Sequence, residues 1–323
     1  MENLADPAAV AEGVREGAPR AVARAITWIE DHDPRGEDLV RRIYPQTGGA
    51  DLVGITGPPG VGKSTIVTAL VRRARAEGRK VGVVSVDPSS PFTQGALLGD
   101  RIRLVEHFLD RDVFIRSMGT RGHLGGMAEA SLQAALVMDA AGCDLIFMET
   151  VGVGQSEVEV IGIADTVVLA LLPGSGDAIQ ALKAGIMEIP DVIVINKADH
   201  PMASLMAAEV RTVLSYTPNR EWMPPIVRTE AVRDQGIDKL VDGIRAHQAW
   251  LDEDGGRRRR ARRRRSIENE IVTVAAARLR ERLARVVATD VPLATRLDDV
   301  DARRVDPLTV VGELMARVGR ERA

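Results

Sequence analysis

Between residues 51 and 250 the chain alternates short, uninterrupted apolar runs with stretches of helical periodicity. The runs are DLVGIT, KVGVVSVD, DVFIRS, CDLIFMET, TVVLALLP, DVIVINKAD and PPIVRT. Continuous runs rich in Val and Ile fit strands covered on both faces. Strands that alternate with helices predict an α/β fold with a mainly parallel central sheet flanked by helices. Residues 1–47 read as helical, because Val22, Ile26 and Ile29 recur at spacings of four and three and share one face. The acidic, glycine-ended stretch DEDGG at 252–256 reads as a break. Beyond it the pattern predicts a long helix followed by a shorter one, with Pro292 and Pro307 as interruptions. The expected organisation is a helical extension over 1–47, a core over 48–250 and a helical arm over 251–323.

Composition narrows the function classes. The 323 residues are 45% hydrophobic and 28% charged, a soluble globular profile. Aromatics at 3% are too few for an all-β sandwich core or a base-stacking surface, and a net charge of −3 argues against a nucleic-acid binder. The single cysteine, Cys143, rules out a disulfide framework within the chain and points to a reducing compartment such as the cytoplasm. No run approaches the roughly 20 apolar residues of a membrane helix. The start MENLADPAAV lacks an apolar signal core, so the expectation is a cytoplasmic protein with neither membrane nor nucleic acid as a partner. The nine-residue run RRRRARRRR, Arg257 to Arg265, reads either as a basic patch for nucleic acid, acyl-CoA phosphates or an acidic partner, or as a solvated helix face behind an acidic linker.

The strongest chemical signal is Gly57-Pro58-Pro59-Gly60-Val61-Gly62-Lys63-Ser64-Thr65, which fits G-x-x-x-x-G-K-[ST]. It follows the run DLVGIT and precedes the helical pattern TIVTALVRRARAEG, the strand-to-helix setting that makes a phosphate loop. Glycines let main-chain amides close around phosphates, and the helix N-terminus adds positive potential. Lys63 is expected on the β- and γ-phosphates and the Ser64 hydroxyl on Mg²⁺. The expected fold is thus a P-loop NTPase.

The base is read further along. Asn196-Lys197-Ala198-Asp199 follows the run DVIVI and fits N-K-x-D. Guanine presents an N1–H beside a 2-amino group, and one carboxylate accepts from both; adenine offers no such pair. Asp199 is therefore the expected discriminator, with Asn196 and Lys197 positioning the loop and covering the ring. Its place at the C-terminal end of a strand, where such sheets bind ligands, favours GTP over ATP. Thr229-Glu230-Ala231, after the run PPIV, reads as a further base-contacting loop in which the Ala231 amide meets guanine O6.

Three acids lie near strand ends or in the loops that follow: Asp87 closes KVGVVSVD, Glu149 closes CDLIFMET and Asp100 sits in LLGDRIR. Mg²⁺ takes one or two carboxylates in a hard-oxygen octahedron. Ser64 with some of Asp87, Asp100 and Glu149 supplies such a set. Lys63, Glu149 and Asp87 are the expected catalytic residues. Glu149-Thr150-Val151-Gly152 resembles the D-x-x-G switch of GTPases with Glu in place of Asp, so Gly152 is expected to offer its amide to the γ-phosphate. The position after Gly152, which in Ras-like enzymes holds a water-orienting glutamine, is Val153, and the nearest glutamine is Gln155. Slow intrinsic hydrolysis, raised by a partner, is the expectation.

Taken together, GPPGVGKST, VDPSS, LGDRIR, ETVGVGQSE and NKAD, in this order, resemble the MeaB/ArgK/MMAA family of GTPases of the SIMIBI class. The resemblance covers about residues 15–250. It implies a GTP- and Mg²⁺-dependent chaperone that gates cofactor loading on an adenosylcobalamin-dependent acyl-CoA mutase and protects or reactivates it. It also implies a homodimer to which the C-terminal arm contributes. Residues 174–185, GSGDAIQALKAG, correspond to a third switch that places Asp177 and Lys183 at its charged positions. Read locally, Asp177 with Gln180 equally resembles a helix capping box. The stretch Ser117–Gly126 departs from the family pattern and points to a subfamily. Three other readings compete. A nickel-type metallochaperone needs Cys and His clusters the sequence lacks; an ATPase linked to amino-acid transport conflicts with Asp199; and an interaction module with an occupied but inert phosphate loop conflicts with Glu149 and the several candidate Mg²⁺ ligands.

Overall fold

The computed structural model describes residues 4–87, 105–107, 109–119, 126–150, 162–174, 190–216, 220–289 and 291–320. All seven apolar runs form strands: β1 (Asp51–Thr56), β2 (Val81–Asp87), β3 (Val113–Gly119), β4 (Leu145–Thr150), β5 (Thr166–Leu171), β6 (Val192–Ile195) and β7 (Ile226–Arg228). They make one sheet in the order β3-β2-β4-β1-β5-β6-β7, and every pairing is parallel. The central strands β4, β5 and β6 are buried at every position, which is why the sequence shows continuous apolar runs there instead of alternation.

Helices cover both faces. α1 (Pro7–Arg15), α2 (Pro19–Glu30) and α3 (Pro34–Ile43) each start on a proline, and Asp6 and Asp33 cap α1 and α3 by accepting from Ala8 and Arg35 amides. Val22, Ile26 and Ile29 of α2 are buried in a core shared with α5 (Gly126–Ala140) and with β2, β3 and β4. Burial of each is worth roughly 1.5–3 kcal/mol. The other face carries α4 (Lys63–Ala76) and α7 (Ile237–Asp252), while α6 (Ala203–Ser215) packs on β5 and β6. Cys143 is buried, and burial pushes its thiol up to about 12, so it is inert packing.

By its contacts the chain forms two compact units, Met1–Asn269 and Glu270–Ala323. The break expected at 252–256 is a turn with Gly255 and Gly256 at positive φ, and α8 (Arg257–Thr289) follows it. Two shorter helices come after α8 instead of the expected one: α9 (Val291–Asp301) and α10 (Pro307–Arg320). Pro292 stands in the first turn of α9, where no amide hydrogen is needed, so it starts a helix more than it ends one. Asp306 caps α10 by accepting from the Leu308 and Thr309 amides at 2.9 and 3.0 Å.

The arginine run is neither a simple solvated face nor wholly a patch for a partner, which corrects both sequence readings. Three of its side chains clasp the edge of the sheet where strands begin. Arg263 grips Asp165 bidentately at 2.8 and 2.7 Å and donates to the carbonyls of Gly48 and Ala50. Arg262 holds Asp191 bidentately at 3.0 and 2.7 Å, and Arg259 bridges Asp51 and Asp252. Asp165 and Asp191 are 3% and 8% exposed, so these are largely desolvated pairs whose breakage leaves a buried charge.

Beside the clasp, His247 is fully buried, shares a hydrogen bond of 3.0 Å with the Thr166 hydroxyl, and packs with Trp222 and Trp250. Burial, above all, holds its imidazole down to about 4; Asp191 pulls the other way, and Arg262 and Arg259 reinforce burial. The unfolded chain, with an ordinary histidine near 6.5, therefore binds a proton that the folded one refuses between pH 6.5 and 4. His247 contributes its full stability above pH 6.5 and loses it as pH falls toward 4, by about 3 kcal/mol. Thermal melts from pH 7.5 to 4.5 should show a smaller decline in a His247→Gln variant; equal declines would contradict this.

Candidate functional site

The strand order brings the motif loops to one edge. β1 lies between β4 and β5, so the loop after it faces Glu149 on one side and, across β5, the end of β6 on the other. Gly57 leaves β1 with φ +142, and an added Cβ would lie 2.1 Å from the Ala170 carbonyl oxygen on β5. Gly60 and Gly62 also have positive φ, so the loop closes tightly before α4 starts at Lys63. Val61 is buried beneath the loop, while Pro59 and Gly60 are exposed at its crown. The Lys63 ammonium, 5% exposed, folds back over the loop and donates to the carbonyls of Gly57 at 2.6 Å and Pro58 at 3.1 Å. Thr65, in the first turn of α4, is half-buried.

Ser64 meets its partner from β4: its Oγ donates to Glu149 Oε1 at 2.6 Å, and both residues are buried. Glu149 stands level with Ile55 of β1 and Ser85 of β2. Asp87 closes β2 two positions beyond Ser85, at the same edge. The two oxygens of Ser64 and Glu149 are hard donors, and their spacing approaches the ~2.9 Å between cis ligands of an octahedron with 2.0–2.1 Å arms. The residues present therefore fit a Mg²⁺ ion, held directly or through water. No group of three or more His, Cys, Asp or Glu side chains gathers among the described residues. Asp100, Gly152, Gln155, Asp177 and Lys183 lie outside the described residues.

At the base end, Asn196 is a strut more than a surface contact. It is 3% exposed; its Nδ2 donates to the Val61 carbonyl at 2.8 Å, and its Oδ1 accepts from the Thr229 hydroxyl at 3.0 Å and the Ala231 amide at 3.2 Å. One side chain thus ties the phosphate loop to both base loops. Lys197 takes a left-handed backbone (φ +54), and Lys197 and Asp199 are exposed at the edge of the site, beside the Thr229–Ala231 loop. Thr229, completely buried, was legible only as part of a short string; its role comes from the hydroxyl it lends to Asn196.

Gly62 is where the phosphate loop comes closest against Asn196. A Cβ there would sit 2.6 Å from Asn196 Nδ2, on a backbone with φ +96. Gly62→Ala is expected to push Asn196 off the Val61 carbonyl and weaken guanine-nucleotide binding at least tenfold, measured by titration of a fluorescent GDP analogue. Unchanged affinity would mean Asn196 does not set the loop.

A phosphate loop on a parallel sheet, a hydroxyl–carboxylate pair beside it and an N-K-x-D strand end define a P-loop GTPase. Comparison with known proteins agrees. The family described as methylmalonyl Co-A mutase-associated GTPase MeaB matches residues 22–287. A Pyrococcus abyssi protein named as a GTPase is 50% identical over 82% of each chain. Escherichia coli GTPase ArgK is 37% identical over 74% of this chain and 75% of its own. The mouse methylmalonic aciduria type A homolog, mitochondrial, is 34% identical over 73% of this chain and 61% of its own. A crystal structure of a LAO/AO transport system kinase superposes with a TM-score of 0.72 at 26% identity, covering 99% of both chains. The chain belongs to the MeaB/ArgK/MMAA family of GTPases.

Proposed function

We propose that this GTPase is a nucleotide-gated chaperone for an adenosylcobalamin-dependent acyl-CoA mutase, with methylmalonyl-CoA mutase the first client to test. The client rests on the family description, which names that mutase. The observation that carries the gating is the Ser64–Glu149 contact: it joins the phosphate-loop helix to the last turn of sheet before residues 151–161, which hold Gly152 and Gln155.

The residues divide the work as follows. The amides and glycines of the loop from Gly57 to Thr65 wrap the phosphates, and Lys63 swings from the Gly57 and Pro58 carbonyls to the β- and γ-phosphates. Asp199 accepts from guanine N1–H and the 2-amino group, and the Ala231 amide meets O6. Mg²⁺, when bound, neutralises phosphate charge; Ser64, Asp87, Glu149 and Asp100 are the residues to hold it. In hydrolysis a water oxygen bonds to the γ-phosphorus and the bond to the β-phosphate oxygen breaks. Gly152, Gln155, Asp177 and Lys183 then report the loss of the γ-phosphate to the client. Val153 in the glutamine position makes unassisted turnover slow. The chain works in a reducing compartment, the cytoplasm; among the described residues no helix is long and apolar enough to cross a membrane. It works as a homodimer, a reading supported by Leu308, Val311 and Met315, which leave one exposed apolar stripe on α10.

The ArgK and LAO/AO names raise a transport-linked kinase as a second reading, but a carboxylate at Asp199 is the wrong partner for adenine. The test of gating is co-elution with methylmalonyl-CoA mutase. Affinity should differ at least tenfold between the protein loaded with a non-hydrolysable GTP analogue and the protein loaded with GDP; equal affinity would refute gating.

A further inference from the structure

The arginine run has a second face. While Arg259, Arg262 and Arg263 give their guanidiniums to the clasp, Arg257, Arg258 and Arg265 line an open groove of about 690 Å³, with Arg262, Trp250, Ser266 and Asn269 among its other walls. That volume suits a small molecule. The groove's own acids are Glu221 and Asp254. Their pairs with its arginines are long: 3.7 Å for Arg257–Asp254, 3.9 Å for Arg258–Glu221 and 4.0 Å for Arg258–Asp254. The clasp pairs a turn away close to 2.7 and 2.8 Å. Among the described residues, the guanidiniums of Arg257, Arg258 and Arg265 thus outnumber the groove's two acids and reach neither at hydrogen-bonding distance.

One of them is also held in place. The Arg258 guanidinium stacks 4.5 Å over the Trp250 ring and donates to the Trp250 carbonyl at 3.1 Å. Arg262 is a fixed wall, its three guanidinium nitrogens taken up by the Asp191 carboxylate and the Ala164 carbonyl. A planar guanidinium held as Arg258 is meets phosphate oxygens with little further loss of freedom. The strand starts that the clasp holds are separated from the phosphate loop by the six residues of β1, roughly 20 Å at ~3.3 Å per residue.

We propose that this groove is a second anion site, distinct from the phosphate loop, that takes a small molecule bearing a phosphate group. The experiment is calorimetric titration of pyrophosphate into the protein saturated with GDP, so that the phosphate loop is already filled. One saturable site is expected. An Arg257→Ala/Arg265→Ala variant, which leaves the clasp intact, should bind pyrophosphate at least tenfold more weakly with unchanged GDP affinity and melting temperature. If that variant melts early, the Gln pair at the same positions replaces it. Repeating the titration in a Lys63→Ala background separates the sites, since binding in the groove survives there and binding in the phosphate loop does not. No saturable binding, equal affinity in the double variant, or binding of a poly-glutamate peptide but not pyrophosphate would overturn the proposal.

Discussion

Asp199→Asn should turn a GTPase into an enzyme that prefers xanthosine triphosphate. The carboxylate proposed to read guanine accepts two hydrogens, from N1 and the 2-amino group. An amide in its place still accepts from N1–H but turns its NH₂ against the guanine amino group, donor against donor. Xanthine carries an oxygen at C2, and there the same NH₂ finds an acceptor. Sites built to satisfy a polar pair reject a mismatched analogue by 10⁴ or more; Asp199 is exposed at the site edge, so a loss of roughly 10³-fold in kcat/KM for GTP is the expected size. XTP should recover most of it and ATP none. The check is steady-state hydrolysis of the three nucleotides by wild type and variant. GTP turnover unchanged in Asp199→Asn would remove Asp199 from the base site.

The second large effect is on stability. Arg263→Ala should cost the Met1–Asn269 unit about 3 kcal/mol. Asp165 is 3% exposed, and with Arg263 gone its nearest cation is Arg259 at 3.8 Å, beyond hydrogen-bonding reach; the Leu52 amide still donates to it at 3.2 Å. An uncompensated buried carboxylate costs ~3–5 kcal/mol, and the partial exposure of Arg263 favours the lower end. For a body of this size that lowers the melting temperature by roughly 6–12 °C. The double variant Asp165→Asn/Arg263→Met, which removes both charges, should recover most of the loss. A shift under 2 °C in Arg263→Ala would show that the clasp holds nothing.

The clasp also shows where a sequence stops being readable. Arg259, Arg262 and Arg263 stand at helical spacings of three and four, the signature of one face. In a run where eight of nine residues are arginine, no face stands out from another. Their partners lie more than 70 residues away in the chain: Asp51 opens β1, and Asp165 and Asp191 stand just before β5 and β6, so each reads only as an acid at the start of an apolar run. The strands were legible for the opposite reason. Burial on both faces removes polar residues from the whole run, and all seven runs became neighbours in one parallel sheet. The phosphate loop and N-K-x-D were legible because the chemistry fixes residue types at fixed spacing. What they did not reveal is how they are joined: that Asn196 bonds Val61, Thr229 and Ala231 at once depends on the order β1-β5-β6-β7, which no local pattern encodes.

If GTP hydrolysis by this chain serves an acyl-CoA mutase, the client must change its rate. GTP turnover is to be measured for the purified protein alone and with methylmalonyl-CoA mutase added, with ATP as the control nucleotide. Slow GTP-specific turnover that rises at least tenfold with the mutase is the predicted result. Turnover that is already fast alone, or that does not respond to the mutase at any ratio, would contradict the account.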